Sequence, residues 1–395
     1  MTPLSEAARS HADALTRAWL GLPAGTDVPR MPDPLARRLL RLEEYEHPDR
    51  DQWGNWEFAM CEAYREGRLW EPDVDRWLLQ NGDATGRWPE GRQFAICLSH
   101  DVDLVSEAVT LRQALRSMRL SLHGKGAVRF ARPAVRAARA LHNGMSRRPT
   151  AEALERCVDA EREHGVTASY FFTVYPGAEG HRFDCTYDFA DPCSFRGSRA
   201  TVADVARTLD REGFEVGLHG SYNSALVRDR LVSEKGALEH ATGLKVTSVR
   251  QHFLHWDARV TPRLHSHAGL SADSTLGFNR NIGLRAGTSL PFRWFDAQRD
   301  EALDLVELPM LVGDVALLRA DALELGLGLA WETLAAFIGR ISDVGGVATL
   351  VFHPNHLEQS DHAELFRRTI EYGKERNAWF TSVRDLDAWF RARES

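Results

Sequence analysis

Little in this 395-residue sequence could staple the chain, anchor it or cradle a nucleotide. Its five cysteines, Cys61, Cys97, Cys157, Cys185 and Cys193, are odd in number and form no Cys-x-x-Cys pair, which argues against a disulfide framework or a cysteine zinc knot. No apolar run approaches the ~20 residues that span a bilayer. The first residues lack a basic stretch followed by an apolar one, the pattern of a secretory signal, so a cytoplasmic chain is expected. No glycine-rich loop follows any of the apolar runs, which argues against a nucleotide-binding sheet. No nucleic-acid partner is expected either.

What remains is ordinary for a soluble globular enzyme, with 43% hydrophobic and 27% charged residues. The length exceeds that of a usual single domain but suits one large α/β barrel with an appendage. The net charge of −7 is unevenly distributed, because residues 108–151 hold ten Lys or Arg and no acid. Up to about Gly91 the pattern is helical: Ala14, Leu15, Trp19 and Leu20, then Leu35, Leu39, Leu40 and Leu42, fall at amphipathic spacing. Residues 1–90 are therefore expected to form a helical N-terminal segment. Beyond it, short apolar runs at 94–98, 168–174, 214–218, 246–249, 269–272, 305–308, 347–352 and 378–381 alternate with helical stretches. Near-continuous apolar strands separated by helices predict a parallel sheet, and this many units favours a barrel over 91–395.

Polar residues gather just after those runs. The first ends in Ser99-His-Asp-Val-Asp103, the third in His219-Gly-Ser-Tyr-Asn223, the fourth in Arg250-Gln-His252 with His255 beyond, and the seventh in His353-Pro-Asn-His356. The carboxyl ends of parallel barrel strands share one face, where active sites are built. Asp101 and Asp103, two apart, point to one side of an extended strand tip. Adjacent carboxylates repel unless a cation or proton intervenes, and Asp with His suits zinc or another first-row metal rather than calcium. A loop-capping role for the two aspartates is the plainer alternative.

These motifs, with Gly217-Leu-His-Gly-Ser-Tyr222, Val249-Arg-Gln-His-Phe-Leu254 and Asp273-Ser-Thr-Leu-Gly-Phe278 in this order and spacing, resemble the polysaccharide deacetylase family (carbohydrate esterase family 4, the NodB homology domain). They are most similar to its His-Asp-Val-Asp branch. Asn281-Ile-Gly-Leu-Arg-Ala-Gly-Thr288 and Leu305-Val-Glu-Leu-Pro309 extend the resemblance over roughly 90–390. It implies a distorted (β/α) barrel of about seven parallel strands, one divalent metal (zinc, or else cobalt or nickel) and hydrolysis of an N-acetyl group on a sugar or glycoconjugate.

By the same resemblance, Asp101 corresponds to the catalytic base, Asp103 and His219 to metal ligands, Arg250 to the residue holding the base, and His353 to the general acid. Asp273, Arg285 and Tyr222 are read as substrate-binding. The departure is Asn223, where most of the family has a second metal histidine; His252 is the substitute expected here, ahead of His255 and His100. The ion would acidify water and polarise the amide carbonyl, Asp101 would take the water's proton, and His353 would protonate the leaving amine. Because such motifs specify metal and base rather than substrate, a deformylase or cyclic-ureide hydrolase is the first alternative. A non-catalytic glycan-binding protein is the second, resting on Asn223.

Several features carry plainer readings. His265 and His267 sit two apart on an expected helix and do not share a face. Cys185 and Cys193 read as free thiols in a loop, whose Asp184, Tyr187, Asp188 and Asp191 could border the cleft. Trp256 and Trp294 read as packing. The basic helical insertion at about 108–150 has Arg112, Arg116 and Arg119 on one face and repeats the pattern with Arg129, Arg132, Arg136 and Arg139. It is either a solvated pair of helices or a surface for an anionic membrane or a phosphate-linked substrate.

Overall fold

The protein's structure is a computed structural model that describes residues 3–47, 49–82, 88–106, 110–122 and 150–394. Twelve strands are described: β1 (Phe94–Val102), β2 (Ser169–Thr173), β3 (Pro192–Phe195), β4 (Ser198–Thr201), β5 (Glu215–Gly220), β6 (Ser248–Gln251), β7 (Ala272–Asp273), β8 (Phe292–Asp296), β9 (Glu301–Glu307), β10 (Val312–Gly313), β11 (Val347–Val351) and β12 (Ala378–Thr381). Ten of them form one curled sheet in the order β10-β11-β1-β2-β5-β6-β7-β9-β8, with β12 also paired to β1. Every pair is parallel except β8–β9. This is a distorted (β/α) barrel, curled but open between β10 and β8.

Strand β1 explains much of the layout. All nine of its residues are buried, and alternate side chains enter different cores. Phe94, Ile96 and Leu98 pack with Leu154 and Val158 of the helix Glu152–His164. Ala95 and Cys97 face a second core with Phe171, Trp294 and the N-terminal Leu15 and Trp19. Small residues on that side leave room for the large rings. Residues 95–99 pair with β11 on one edge, whereas the other edge pairs first with β12 through 94–97 and then with β2 through 99–102.

The antiparallel hairpin β8–β9 was not visible as such, since only the tail of β9 reads as a continuous apolar run. The small hairpin β3–β4 lies apart from the sheet. Of the basic insertion, the helix Leu111–Leu122 is described and the rest falls outside the described residues. Arg116 on that helix is bonded to Asp191 at 2.5 Å and to the Thr186 carbonyl at 3.1 Å, so it is bound to the protein rather than offered to a partner.

Helices Glu6–Leu20, Asp33–Leu39, Leu42–Glu46 and Asp73–Asn81 belong to the N-terminal segment, whose apolar face covers β8. Trp19 Nε1 donates to the Pro291 carbonyl at 2.8 Å. The segment is also locked by charge. Glu44 accepts from Arg285 Nε and Nη2, both at 2.8 Å, and from Arg41 Nη2 at 2.7 Å, all three side chains being buried. Burial would raise the Glu44 carboxyl, but the Arg285 and Arg41 guanidiniums outweigh it and hold it at about 2. Removing one partner of such a cluster strands the others as uncompensated charge.

The loop after β5 is anchored from the helix Arg228–Thr242. Glu234, almost fully buried, accepts from Ser221 N at 2.9 Å and also from Ser221 Oγ. Burial pushes its carboxyl up to about 7 against those donors. The folded state thus favours the protonated form. The stability this contributes is complete below the ordinary carboxyl range and is lost as pH rises through about 7. Glu234→Gln fixes the neutral form. Urea unfolding at about pH 5 and about pH 8 should show the variant gaining on wild type by up to about 3 kcal/mol. An unchanged difference would mean that the carboxyl titrates as an exposed one does.

Candidate metal centre and cleft

The parallel strands bring their carboxyl ends to one face, and the polar residues noted after the apolar runs meet there. Arg250, at the end of β6, is wholly buried. Its Nη1 donates to Asp101 Oδ1 at 3.1 Å and to Ser99 Oγ at 2.8 Å, its Nε to the Ser274 carbonyl at 2.7 Å, and its Nη2 to Ser274 Oγ at 2.8 Å. Burial alone would raise the Asp101 carboxyl, but Arg250, then His219 and His353, hold it below the usual carboxylate range. Asp101 is therefore a buried yet ionised carboxylate.

Asp103 lies just past β1, with its Oδ1 3.4 Å from His219 Nε2 and 3.6 Å from His252 Nε2. His219 Nδ1 donates to the Arg250 carbonyl at 2.9 Å, which leaves Nε2 as the ring's lone-pair nitrogen. That nitrogen is buried and has no hydrogen-bond partner among the described residues. A buried acceptor aimed at a carboxylate is unfavourable unless a cation or a proton stands between them. Asp103, His219 and His252 therefore fit a divalent ion, with two imidazoles and a carboxylate as donors. His252 begins a tight turn after β6 in which Phe253 (φ 62°) and Leu254 (φ 46°) adopt the left-handed conformation. Strain of this kind in residues with side chains persists only where the surroundings enforce it.

His353 stands opposite. Its Nδ1 is bonded to Asp314 Oδ1 at 2.7 Å, and its Nε2 lies 3.9 Å from Asp103 Oδ2. Burial opposes its charge, but Asp314, followed by Asp103 and Asp101, raises it to about 10. Asp314 follows β10 and also meets His362 Nδ1 at 3.2 Å and His356 Nδ1 at 3.4 Å. These groups hold its carboxyl well below the usual range against burial. The cleft between the two histidine groups measures about 180 Å³ and has Phe253, Leu254, Phe278 and Met310 on its apolar wall. That is below the ~300–1,000 Å³ of pockets for drug-sized ligands.

Other expected site residues lie elsewhere. Arg285 does not reach the cleft for substrate; it is committed to Glu44, because a buried guanidinium needs its counter-charge close by. Asp273 is equally committed, to His265 Nδ1 at 2.9 Å and to Thr275 N at 2.9 Å. The Tyr222 hydroxyl donates to the Trp53 carbonyl and its ring stacks on His255 and His181, so it packs beside the site without lining the cleft. His255 is bonded through Nδ1 to the Tyr222 carbonyl at 2.6 Å, and His100 to Glu161 at 2.7 Å. Asn223 donates to the Glu179 carbonyl at 3.3 Å and is absent from the cleft wall. Trp256 and Trp294 are buried against one another.

Two contributors were not singled out from sequence. Asp314 follows the short run Leu311-Val-Gly313, so the rule of polar residues after apolar runs reaches it, but two strand residues are too few to be noticed. Cys185, which read only as a free thiol, lies with its Sγ 3.6 Å from Asp103 Oδ1, in the loop whose acidic residues were expected to border the cleft. Its neighbour Asp184 accepts from Tyr222 N at 2.7 Å and stands 3.8 Å from His252 Nδ1.

No family model matches the sequence, and no curated protein does. Solved structures do match. A candidate polysaccharide deacetylase from Mycobacterium smegmatis aligns with a TM-score of 0.51 at 19% identity, over 79% of this chain and 95% of that one. Puue allantoinase aligns with a TM-score of 0.50 at 15% identity, over 79% and 94%. At such identities the likeness is one of fold: this chain is built on the same distorted barrel as both proteins.

Proposed function

We propose that the protein is a metal-dependent hydrolase of non-peptide amides that removes an N-acetyl group from an amino sugar or glycoconjugate. The observation that carries this reading is the unpartnered His219 Nε2 facing Asp103, set between the ionised Asp101–Arg250 pair and the Asp314–His353 pair. Asp103, His219 and His252 would hold the ion, zinc by preference and cobalt or nickel otherwise. When bound, a divalent ion of this type polarises an acyl carbonyl and acidifies water.

The remaining chemistry belongs to the chain. Arg250 keeps Asp101 anionic and fixes one of its oxygens, leaving Oδ2 to accept a proton from the attacking water. Asp314 holds His353 through Nδ1, so Nε2 faces the cleft and carries the proton that the departing amine requires. Phe253, Leu254 and Met310 offer an apolar wall to the acyl methyl group and exclude bulk water. The fold likeness to Puue allantoinase favours a second reading of the same residues, a hydrolase of a cyclic ureide. Release of acetate from N-acetylated sugars, against ring-opening of a ureide panel, separates the two.

Asp101→Asn should lower turnover by about 10²–10⁴ while elemental analysis still finds the ion, whereas His219→Ala should lose the ion itself. Full activity in Asp101→Asn would remove Asp101 from the role of base. Asp314→Asn withdraws the charge that raises His353, so the alkaline limb of the kcat/KM profile should move to lower pH. A limb that stays in place would assign it to another group.

A further inference from the structure

We propose that Cys185 is a fourth protein ligand of this centre, so that the ion is held by Asp103, His219, His252 and a thiolate. The proposal rests on the reading that the site binds a divalent ion, and it goes beyond it by naming a sulfur donor; the water or acyl oxygen of that reading would then join as a fifth ligand.

Geometry is the first support. Asp103 Oδ1 has three neighbours: His219 Nε2 at 3.4 Å, His252 Nε2 at 3.6 Å and Cys185 Sγ at 3.6 Å. For a tetrahedral zinc-type ion with bonds of about 2.0–2.1 Å to oxygen and nitrogen and about 2.3 Å to sulfur, the oxygen–nitrogen edges are about 3.3 Å and the oxygen–sulfur edge about 3.6 Å. The three separations around one carboxylate oxygen are close to the edges of such a polyhedron. Asp103, Cys185 and His252 also present their ligand atoms within 4.8 Å of one another.

The thiol is held in place rather than merely nearby. Cys185 is 7% exposed, and the residues beside it tie its loop to three strand ends. On one side Asp184 accepts from His181 N at 2.6 Å and Tyr222 N at 2.7 Å, joining the loop to the segment after β5. On the other, the Tyr187 hydroxyl donates to the Val102 carbonyl at 2.8 Å and accepts from Thr173 N at 2.9 Å, joining it to the ends of β1 and β2.

A thiol donating its proton to Asp103 would account for that contact alone. It would leave the buried His219 Nε2 without a hydrogen-bond partner among the described residues, whereas one cation shared by the three groups answers the nitrogen, the carboxylate and the sulfur together. Meanwhile Asn223, bonded to the Glu179 carbonyl, contributes nothing from the loop after β5. On ligation the sulfur–hydrogen bond breaks, the proton passes to solvent, and the sulfur lone pair forms the bond to the ion. Each ion bound thus releases the Cys185 proton. A thiolate among the donors selects zinc or cobalt over magnesium or calcium.

The test is to load metal-free, full-length protein with cobalt(II) and record its absorption spectrum. The expected result is one cobalt per chain, with visible ligand-field bands and a near-ultraviolet sulfur-to-cobalt charge-transfer band. Cys185→Ser, or Cys185→Ala if the serine variant does not fold, should keep the ligand-field bands and lose the charge-transfer band. Its zinc affinity should fall at least tenfold, since loss of a mere outer-shell partner already costs roughly 10–100-fold. Cys157→Ser, at the separate buried group with His100 and Glu161, should keep the charge-transfer band. Bound cobalt without that band in wild type would overturn the thiolate ligand while leaving the metal centre intact. Failure to bind cobalt at all would overturn both.

Discussion

A guanidinium removed from water must find its counter-charge and its acceptors within the protein, because an unanswered buried cation costs more than most single contacts return. Arg250 meets that demand with groups from separate strands. Ser99 and Asp101 come from β1, Ser274 from the segment after β7, and the backbone carbonyl of Arg250 itself orients His219 on β5. One side chain thereby ties the end of β6 to its neighbour β7 and, across the curl of the sheet, to β1, and holds the Asp101 carboxyl in its ionised form. The Asp103–His219–His252 cluster and the Asp101 carboxylate are not independent features placed side by side. Moving β6 by one residue would turn Arg250 to the other face of the sheet and undo both.

This dependence explains which parts of the molecule were legible in the sequence. Asp101, Asp103, His219, Arg250 and His353 all follow apolar runs, and the geometry of parallel strands places such positions on a common face. Strands β1, β2, β5, β6, β11 and β12 were visible for the same reason. Where a side chain's fate depends on a distant partner, the sequence is silent. Arg285 sits in a motif that reads as cleft-facing, yet its partner is Glu44, 241 residues away. Cys185 is placed by Asp184 and Tyr187 through contacts with three other elements, and no local pattern records them. Asp314 follows a strand only two residues long, and the antiparallel β8–β9 pairing leaves no signature that separates it from a parallel one.

The N-terminal segment and the site are joined through one structural region. The stretch 281–288, which extended the family resemblance, receives the segment together with Ser289: Arg285 binds Glu44, while Thr288 and Ser289 bind Asp75. The Tyr222 hydroxyl reaches the Trp53 carbonyl, and Tyr222 N reaches Asp184. The segment therefore buttresses the loops beside the Asp103–His219–His252 cluster.

The split edge of β1 has a consequence for how the chain is made. This central strand emerges early from the ribosome, but its partners β11 and β12 lie some 250 and 280 residues later. Until they arrive, the half of β1 that precedes Ser99 has bare hydrogen-bonding edges and a fully apolar flank. During synthesis that half-strand is a natural template for the wrong partner until the chain is nearly complete. The last strand to be translated completes the first one.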